Sequence, residues 1–421
     1  MIAPQVRHAL LRLVAVLGCV VLLARPAAAG PHIVVDEQSG LVLSQDHAFD
    51  PWHPASVTKL MTVYTVLRAI KAGRIAFDSP VRQSFQASQQ PPSKMGFDIG
   101  TILTVETALK ILMVKSANDI SVAVGEATSG TQAAFAEEMN WNARALGLGG
   151  TWYVNPHGLH EPQQVTNVRD MALLSAALLR EFPEHADLFS IPALRFGKTR
   201  LTNHNRLMSR IVGVNGMKTG FVCASGFNVV ARATRGGRSI TAVVFGGRTA
   251  RERDALAAEL IEHAFATKPE KAVHPRLASL APPLALPAPA NIRDFVCEKP
   301  DGVHRWNANG HPYARAAETL KDREARLYQK DLPRSGDVRI ELGGAFGPNP
   351  FEFAVVDGGT PPPFIPIPVG RPWHDGDPTP NPHPDLRLAE PQYATGGVAP
   401  LPLPRPQLAE KAASTPVSAY Q

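Results

Sequence analysis

Three short strings hold the residue types that acyl transfer needs: Ser56-Val57-Thr58-Lys59, Ser116-Ala117-Asn118 and Lys218-Thr219-Gly220. A serine hydroxyl is a poor nucleophile until a neighbour takes its proton. On a helix, position i+3 lies on the same face about one turn further along, so Lys59 can reach Ser56. Pro54 and Ala55 suit a helix start, which sets Ser56 at the positive end of the helix beside free backbone N–H groups. A lysine accepts a proton only when neutral, and burial next to another cation disfavours its charged form; Lys218 is the natural second cation. Ser116 could relay a proton between the lysines and a leaving group, and Asn118 could hold a substrate amide. Lys218 and Thr219 would bind a terminal carboxylate, Gly220 would let a substrate backbone come close, and the N–H groups of Ser56 and Phe221 would form an oxyanion hole.

Each string has a plainer reading when taken alone. Ser56 could cap a helix beside a solvated Lys59, Ser116-Ala117-Asn118 could be a helix-ending turn, and Lys218 could lie on a surface strand. Their order and setting argue for the joint reading.

Hydrophobic spacing supplies the elements that must position them. His32-Ile33-Val34-Val35-Asp36, a turn through Gln38-Ser39-Gly40, and Leu41-Val42-Leu43-Ser44 predict a β-hairpin. From Ser56 to Ile70, the residues Leu60, Val63, Tyr64 and Leu67 recur at i+3/i+4 and predict an amphipathic helix under the first string. A helix opening at Thr104, with Leu109, Leu112 and Met113 on its apolar face, runs out just before Ser116. Helices over 132–146 and 167–182 follow. Residues 226–233 and 239–245 then read as an antiparallel hairpin, preceded by a strand with Lys218 at the cleft edge, and 251–265 as a closing helix. Strands at both ends with helices between them predict an α/β (α+β) domain: one antiparallel sheet flanked by helices, with a helical subdomain.

Composition bounds the rest. At 421 residues and 44% apolar, the chain can bury a sizeable core, and a net charge of +6 without a Lys/Arg block excludes a nucleic-acid partner. Arg7 and Arg12 precede an apolar run from Leu13 to Ala24 and then Ala27-Ala28-Ala29, which predicts a signal peptide over 1–29 and export to the periplasm. The run is too short to span a bilayer. Val16-Leu17-Gly18-Cys19 resembles a lipoprotein cleavage site, but apolar residues continue past Cys19. Removal of the signal leaves Cys223 and Cys297, whose pairing the sequence leaves open. His157-Gly158-Leu159-His160 lacks the further ligands of a zinc site, so neither metal nor other cofactor is expected.

Of the 39 prolines, 12 precede Thr267 and 27 follow it. The packed domain is therefore expected over 30–266, with 267–421 a Pro-rich, largely disordered tail that could dock envelope proteins. Within that tail, Asn309 to Gln329 is helix-prone and Val338 to Val356 strand-like, so a small module there stays an alternative.

The chain resembles the D-alanyl-D-alanine carboxypeptidases, low-molecular-mass penicillin-binding serine peptidases that trim peptidoglycan stem peptides. The resemblance covers about Pro31 to Phe265. It rests on His53-Pro54-Ala55-Ser56-Val57-Thr58-Lys59-Leu60-Met61-Thr62, Lys115-Ser116-Ala117-Asn118-Asp119, Asn155-Pro156-His157-Gly158-Leu159, Arg169-Asp170-Met171-Ala172, Asn215-Gly216-Met217-Lys218-Thr219-Gly220-Phe221 and Ala224-Ser225-Gly226-Phe227-Asn228. It implies a β-lactamase/transpeptidase-like fold, an acyl-enzyme on Ser56 resolved by water, and covalent trapping by β-lactams. Ser56, Lys59 and Ser116 would be catalytic; Asn118, Lys218, Thr219, Gly220, Phe221 and Arg253 would bind substrate, Arg253 because it opens the closing helix as a family arginine does, with Arg248 and Arg251 as competitors. Many relatives carry a second all-β domain and an amphipathic C-terminal helix. Neither pattern is present here, so a soluble or loosely membrane-associated enzyme is expected.

Three rivals stay open. A DD-endopeptidase shares the same acyl-enzyme. A β-lactamase would need a deacylating Glu, and Glu137-Glu138-Met139-Asn140 is a poor match for Glu-x-x-Leu-Asn. A catalytically idle wall-binding protein would leave the three strings without work.

Overall fold

The computed structural model describes residues 30–267, 275–298, 318–329, 332 and 336–348. The segment read as a signal peptide, and the chain after residue 348, lie outside them. The elements run β1 (His32–Asp36), β2 (Val42–Asp46), α1 (Lys59–Lys71), β3 (Pro80–Arg82), α2 (Phe85–Ser88), β4 (Ile102–Thr104), α3 (Val105–Val114), α4 (Asn118–Ser129), α5 (Gln132–Ala145) and α6 (Val168–Glu181). Then follow β5 (Ala193–Phe196), β6 (Thr199–Thr202), β7 (Val214–Val222), β8 (Gly226–Arg235), β9 (Arg238–Gly247), α7 (Ala250–Ala266), α8 (Leu320–Leu327) and β10 (Val338–Arg339).

One antiparallel sheet, in the order β2-β1-β9-β8-β7, joins the two ends of the domain. Side-chain alternation gives it two apolar faces. Val34, Val229, Ala231 and Ala242 pack with Leu256, Leu260 and Ile261 of α7. Ile33, Val35, Val230 and Val243 meet the helical side, where α1, α3 and α6 contribute Leu60, Leu112 and Leu174. The fold class is the one expected from the strand–helix–strand pattern; α4 and the β5–β6 hairpin are additions the sequence did not suggest.

Every residue of α1 from Lys59 to Ala69 is buried, so its polar side chains need partners inside the protein. Thr62 Oγ1 donates to the Pro156 carbonyl (2.6 Å), Thr65 Oγ1 accepts from Asn142 Nδ2 (3.1 Å), and Tyr64 donates to Glu181 (3.0 Å). These bonds set the depth and rotation of the helix that starts at Lys59.

The reading of the chain after residue 266 as a tail with little to bury does not hold for its described segments. Leu277 donates its N–H to the Gly40 carbonyl (2.9 Å) and Ile292 to Ala224 (2.9 Å). Cys297 forms a disulfide with Cys223, their Cα atoms 5.8 Å apart. Helix α8 lies on α7, where the buried Arg323 pairs with Glu259 (3.3 Å) and Arg326 with Glu259 and Glu318 (2.9 and 2.8 Å). Strand β10 adds in parallel to β5. Proline bars these stretches from long helices and central strands, but single apolar anchors between prolines still dock: Leu277, Ile292, Leu327 and Ile340 are all buried.

Truncation after Thr267 removes those four anchors and the partner of Cys223. At about 1.5–3 kcal/mol per buried side chain and about 2–4 kcal/mol for a disulfide, the truncated chain should melt at least about 10 °C below the full one. Equal melting temperatures in calorimetry would show that these segments are not part of the folded unit.

Candidate active site

Ser56 lies in a 3-10 turn, Ala55–Thr58, that runs straight into α1. Ala55 has φ +50°, a conformation that costs a non-glycine residue roughly 1–3 kcal/mol unless its surroundings impose it. Here they do. A Cβ on Gly158 would lie 1.9 Å from the Ala55 carbonyl oxygen, and one on Gly220 would lie 2.9 Å from the Ser56 nitrogen, so both glycines let backbone clamp the turn. The room at Gly220, expected to admit a substrate, is taken by the turn bearing Ser56. Asn228 of β8 donates from Nδ2 to the carbonyls of His53 (3.0 Å) and Pro54 (3.2 Å) and completes the clamp.

Lys59, the first residue of α1, has no solvent exposure. Its Nζ lies 3.0 Å from Ser56 Oγ, 2.9 Å from Asn118 Oδ1 and 2.7 Å from the His157 carbonyl. Burial first, then the charge of Lys218, hold its pKa well below the ordinary lysine value, with Asp119 pulling the other way. Asp119 does not touch it. That carboxylate instead accepts from the N–H groups of Met95 (3.0 Å) and Gly96 (2.9 Å), and so fastens the 91–96 loop.

Ser116-Ala117-Asn118 is the corner between α3 and α4. Thr104 caps the start of α3 through Thr107 N–H, and α3 ends at Val114. Ser116 takes φ +61° and Asn118 opens α4, so the turn reading and the functional reading describe the same residues. Asn118 Nδ2 donates to the Pro91 carbonyl (2.9 Å), which aims its Oδ1 at Lys59 rather than leaving the amide free for a substrate.

Strand β7 is the sheet edge and brings up the third string. Lys218, nearly fully buried, donates to Ser116 Oγ (2.9 Å) and to the Thr219 carbonyl (2.9 Å). Burial, and then the charge of Arg253, lower its pKa to about 7. Arg253 itself was expected among the substrate contacts. Its guanidinium is buried on Asp254 (2.8 Å) and the Asn228 carbonyl (2.9 Å), so it bears on the site as a neighbouring charge. Phe221 follows on the rim, 44% exposed.

Two groups carried no role in the sequence reading. Gln164 accepts from the N–H groups of Val154 and Asn155 (both 2.8 Å) and donates to Thr58 Oγ1 (3.2 Å), while Asn155 Oδ1 accepts from Gly158 N–H (2.7 Å). This loop aims the His157 carbonyl at Lys59, and the His157 ring stays neutral, its pKa lowered to about 3 by burial and by Lys59. His204 is also kept neutral, its pKa about 4, by burial and then the charge of Lys218. Nothing in local spacing links either to the strings.

A model of the family described as D-alanyl-D-alanine carboxypeptidase matches residues 23–249. The chain belongs to that family. It is similar to the D-alanyl-D-alanine carboxypeptidases DacC of Escherichia coli, 36% identical over 52% of this chain and 57% of that protein, and DacA of Haemophilus influenzae, 33% identical over 56% and 61%. It thus spans less than two thirds of the length of these curated relatives. Penicillin binding protein 5 from Haemophilus influenzae shares the fold with a TM-score of 0.54 at 33% identity, over 57% of this chain and 71% of that one. Penicillin binding protein 6B from Escherichia coli gives 0.53 at 34%, over 56% and 76%. Cys297 and α8 lie beyond the family match.

Burial of Lys218 makes stability depend on pH. Its amine titrates near the ordinary 10.5 when unfolded and at about 7 when folded. Below about 7 both states hold the proton and this group adds no slope; between the two values only the unfolded chain does, so stability rises with pH. Lys218→Met removes that titration. In urea unfolding, the stability of K218M minus that of wild type should therefore fall by up to about 1.4 kcal/mol per pH unit above pH 7. A constant difference would mean that Lys218 keeps an ordinary pKa.

Proposed function

We propose that the chain is a serine-type D-Ala-D-Ala carboxypeptidase that removes the terminal D-alanine from peptidoglycan stem peptides through an acyl-enzyme on Ser56. One arrangement carries this reading: the three partners of Lys59. A neutral amine has two N–H bonds and one lone pair. The Asn118 oxygen and the His157 carbonyl can only accept, so they take the two N–H bonds and turn the lone pair to the Ser56 hydroxyl. Ser56 Oγ then attacks the penultimate carbonyl as its proton passes to Nζ. The N–H groups of Ser56 and Phe221 stabilise the oxyanion. Ser116, oriented by Lys218, relays a proton from the lysines to the departing D-alanine nitrogen as the C–N bond breaks, and water then attacks the ester carbonyl, breaking its bond to Ser56 Oγ and returning the proton to Ser56 as the shortened peptide leaves. Lys218 and Thr219 hold the terminal carboxylate.

The D-alanyl-D-alanine carboxypeptidases to which the chain is similar support this substrate class, as does penicillin-binding protein D2 from Listeria monocytogenes, 28% identical at a TM-score of 0.50, whose structure is of an ampicillin-bound form. A β-lactamase is disfavoured because Glu138 is engaged elsewhere, accepting from Ser129 (2.7 Å) and paired with Arg74. An idle binding protein would have no use for a buried amine turned on a serine. We place the enzyme in the cell envelope on the strength of its N-terminal charge-then-apolar segment and of the disulfide, which forms in oxidising compartments.

Intact mass after incubation with benzylpenicillin should show one added drug molecule, absent from Ser56→Ala; an adduct on S56A would remove Ser56 as nucleophile. Digestion of a defined pentapeptide beside a cross-linked dimer separates the two peptidase activities, and cleavage of the dimer alone would replace carboxypeptidase by endopeptidase. Lys218→Ala should slow free-acid peptides roughly ten- to a hundredfold more than their C-terminal amides, as loss of one charge-assisted contact predicts. Equal losses would assign Lys218 to the tuning of Lys59 alone.

A further inference from the structure

Phe221 and Phe227 face each other across β7 and β8 in register, their rings stacked with centroids 4.2 Å apart at 28°. A large aromatic ring left 44% exposed at the end of the cleft strand is not packed for the core's benefit. Alternation along β7 sets Phe221 on the same side as Thr219, two residues or about 6.6 Å further along the strand.

The strand gives the pair a direction. Lys218 bonds Ser116 at one end, Gly220 abuts the Ser56 nitrogen, and Phe221 comes next. A substrate with its carboxylate at Lys218 and its scissile carbonyl at Ser56 must run onward past Phe221 on the acyl side, the part that stays on the enzyme. D-Alanine leaves at the other end.

The turn beside this shelf is also unusually held. Cys223 is bonded to Cys297, Ala224 accepts from Ile292 N–H (2.9 Å), and the Ser225 carbonyl accepts from Trp52 Nε1 (3.0 Å). A Cβ on Gly226 would lie 2.9 Å from Ile292 Cδ1. Residues 292 and 297 lie outside the family match. A ring fixed before binding gives up little conformational freedom on contact.

We infer that the stacked Phe221–Phe227 pair, braced by the disulfide-bonded 290–297 segment, is a specificity shelf for apolar groups on the acyl side of the substrate. It rests on the acyl-enzyme reading of Ser56 and deepens it: preferred acyl donors carry an aliphatic or aromatic group there.

Acylation rates with benzylpenicillin and with 6-acetamidopenicillanic acid test the shelf, because the two share nucleus and amide and differ in the phenyl ring. The ratio of the two rates should fall about fivefold in Phe221→Ala, as loss of one aromatic contact predicts, and Phe221→Tyr should keep it within about twofold. Because the ratio cancels general damage to β7, a ratio that F221A leaves unchanged overturns the shelf whatever happens to the absolute rates. So does an equal fall in F221Y. A wild type that takes up neither drug would sink the acyl-enzyme reading itself, and the shelf with it.

Discussion

A lysine amine with no solvent and, among the described residues, no carboxylate in contact is the constraint on which the cleft depends. Among the described residues, Lys59 has a hydroxyl, an amide oxygen and a backbone carbonyl as its partners. Desolvation makes its ammonium form costly, which is what a proton acceptor at neutral pH requires. Each partner comes from a different part of the chain, and each is held by a further set of bonds: Ser56 by Gly158, Gly220 and Asn228; Asn118 by the Pro91 carbonyl; His157 by the Asn155–Gln164 loop. The positive φ angles at Ala55 and Ser116 are the local strain this convergence imposes, held in place by the packing around them.

A second cation sharpens the same effect. Lys218 lowers the pKa of Lys59, and Arg253 lowers that of Lys218, so positive charge is ranged from the closing helix toward Ser56. Arg253 is itself paired with Asp254 at 2.7 Å. The arrangement leaves Lys218 close to its titration point near neutral pH.

The segments after residue 266 extend this architecture. They bond to the β7–β8 turn, to α7 and to β5. Their contribution is spread over isolated anchors rather than a core of their own. A chain rich in proline loses less conformational freedom on ordering, which lets a few buried side chains hold it down.

By itself, the sequence marked the residues that meet around Lys59 and most of the elements that carry them. The Ser56–Lys59 pair follows from helical periodicity, the sheet at both ends from period-two alternation, and the fold class from the order of strands and helices, because these are local regularities that a single chain displays. Tertiary structure alone decided the rest. That Lys59 is dry, that Asn118 turns its oxygen inward, that Asn228 clamps the turn bearing Ser56, and that Arg253 bonds the Asn228 carbonyl all depend on groups from 25 to 175 residues apart meeting in space. The Cys223–Cys297 bridge spans 74 residues, and no local pattern marks it. Spacing reveals which face of an element is apolar; which partner covers that face, and therefore which charge is desolvated, is settled only when the elements pack.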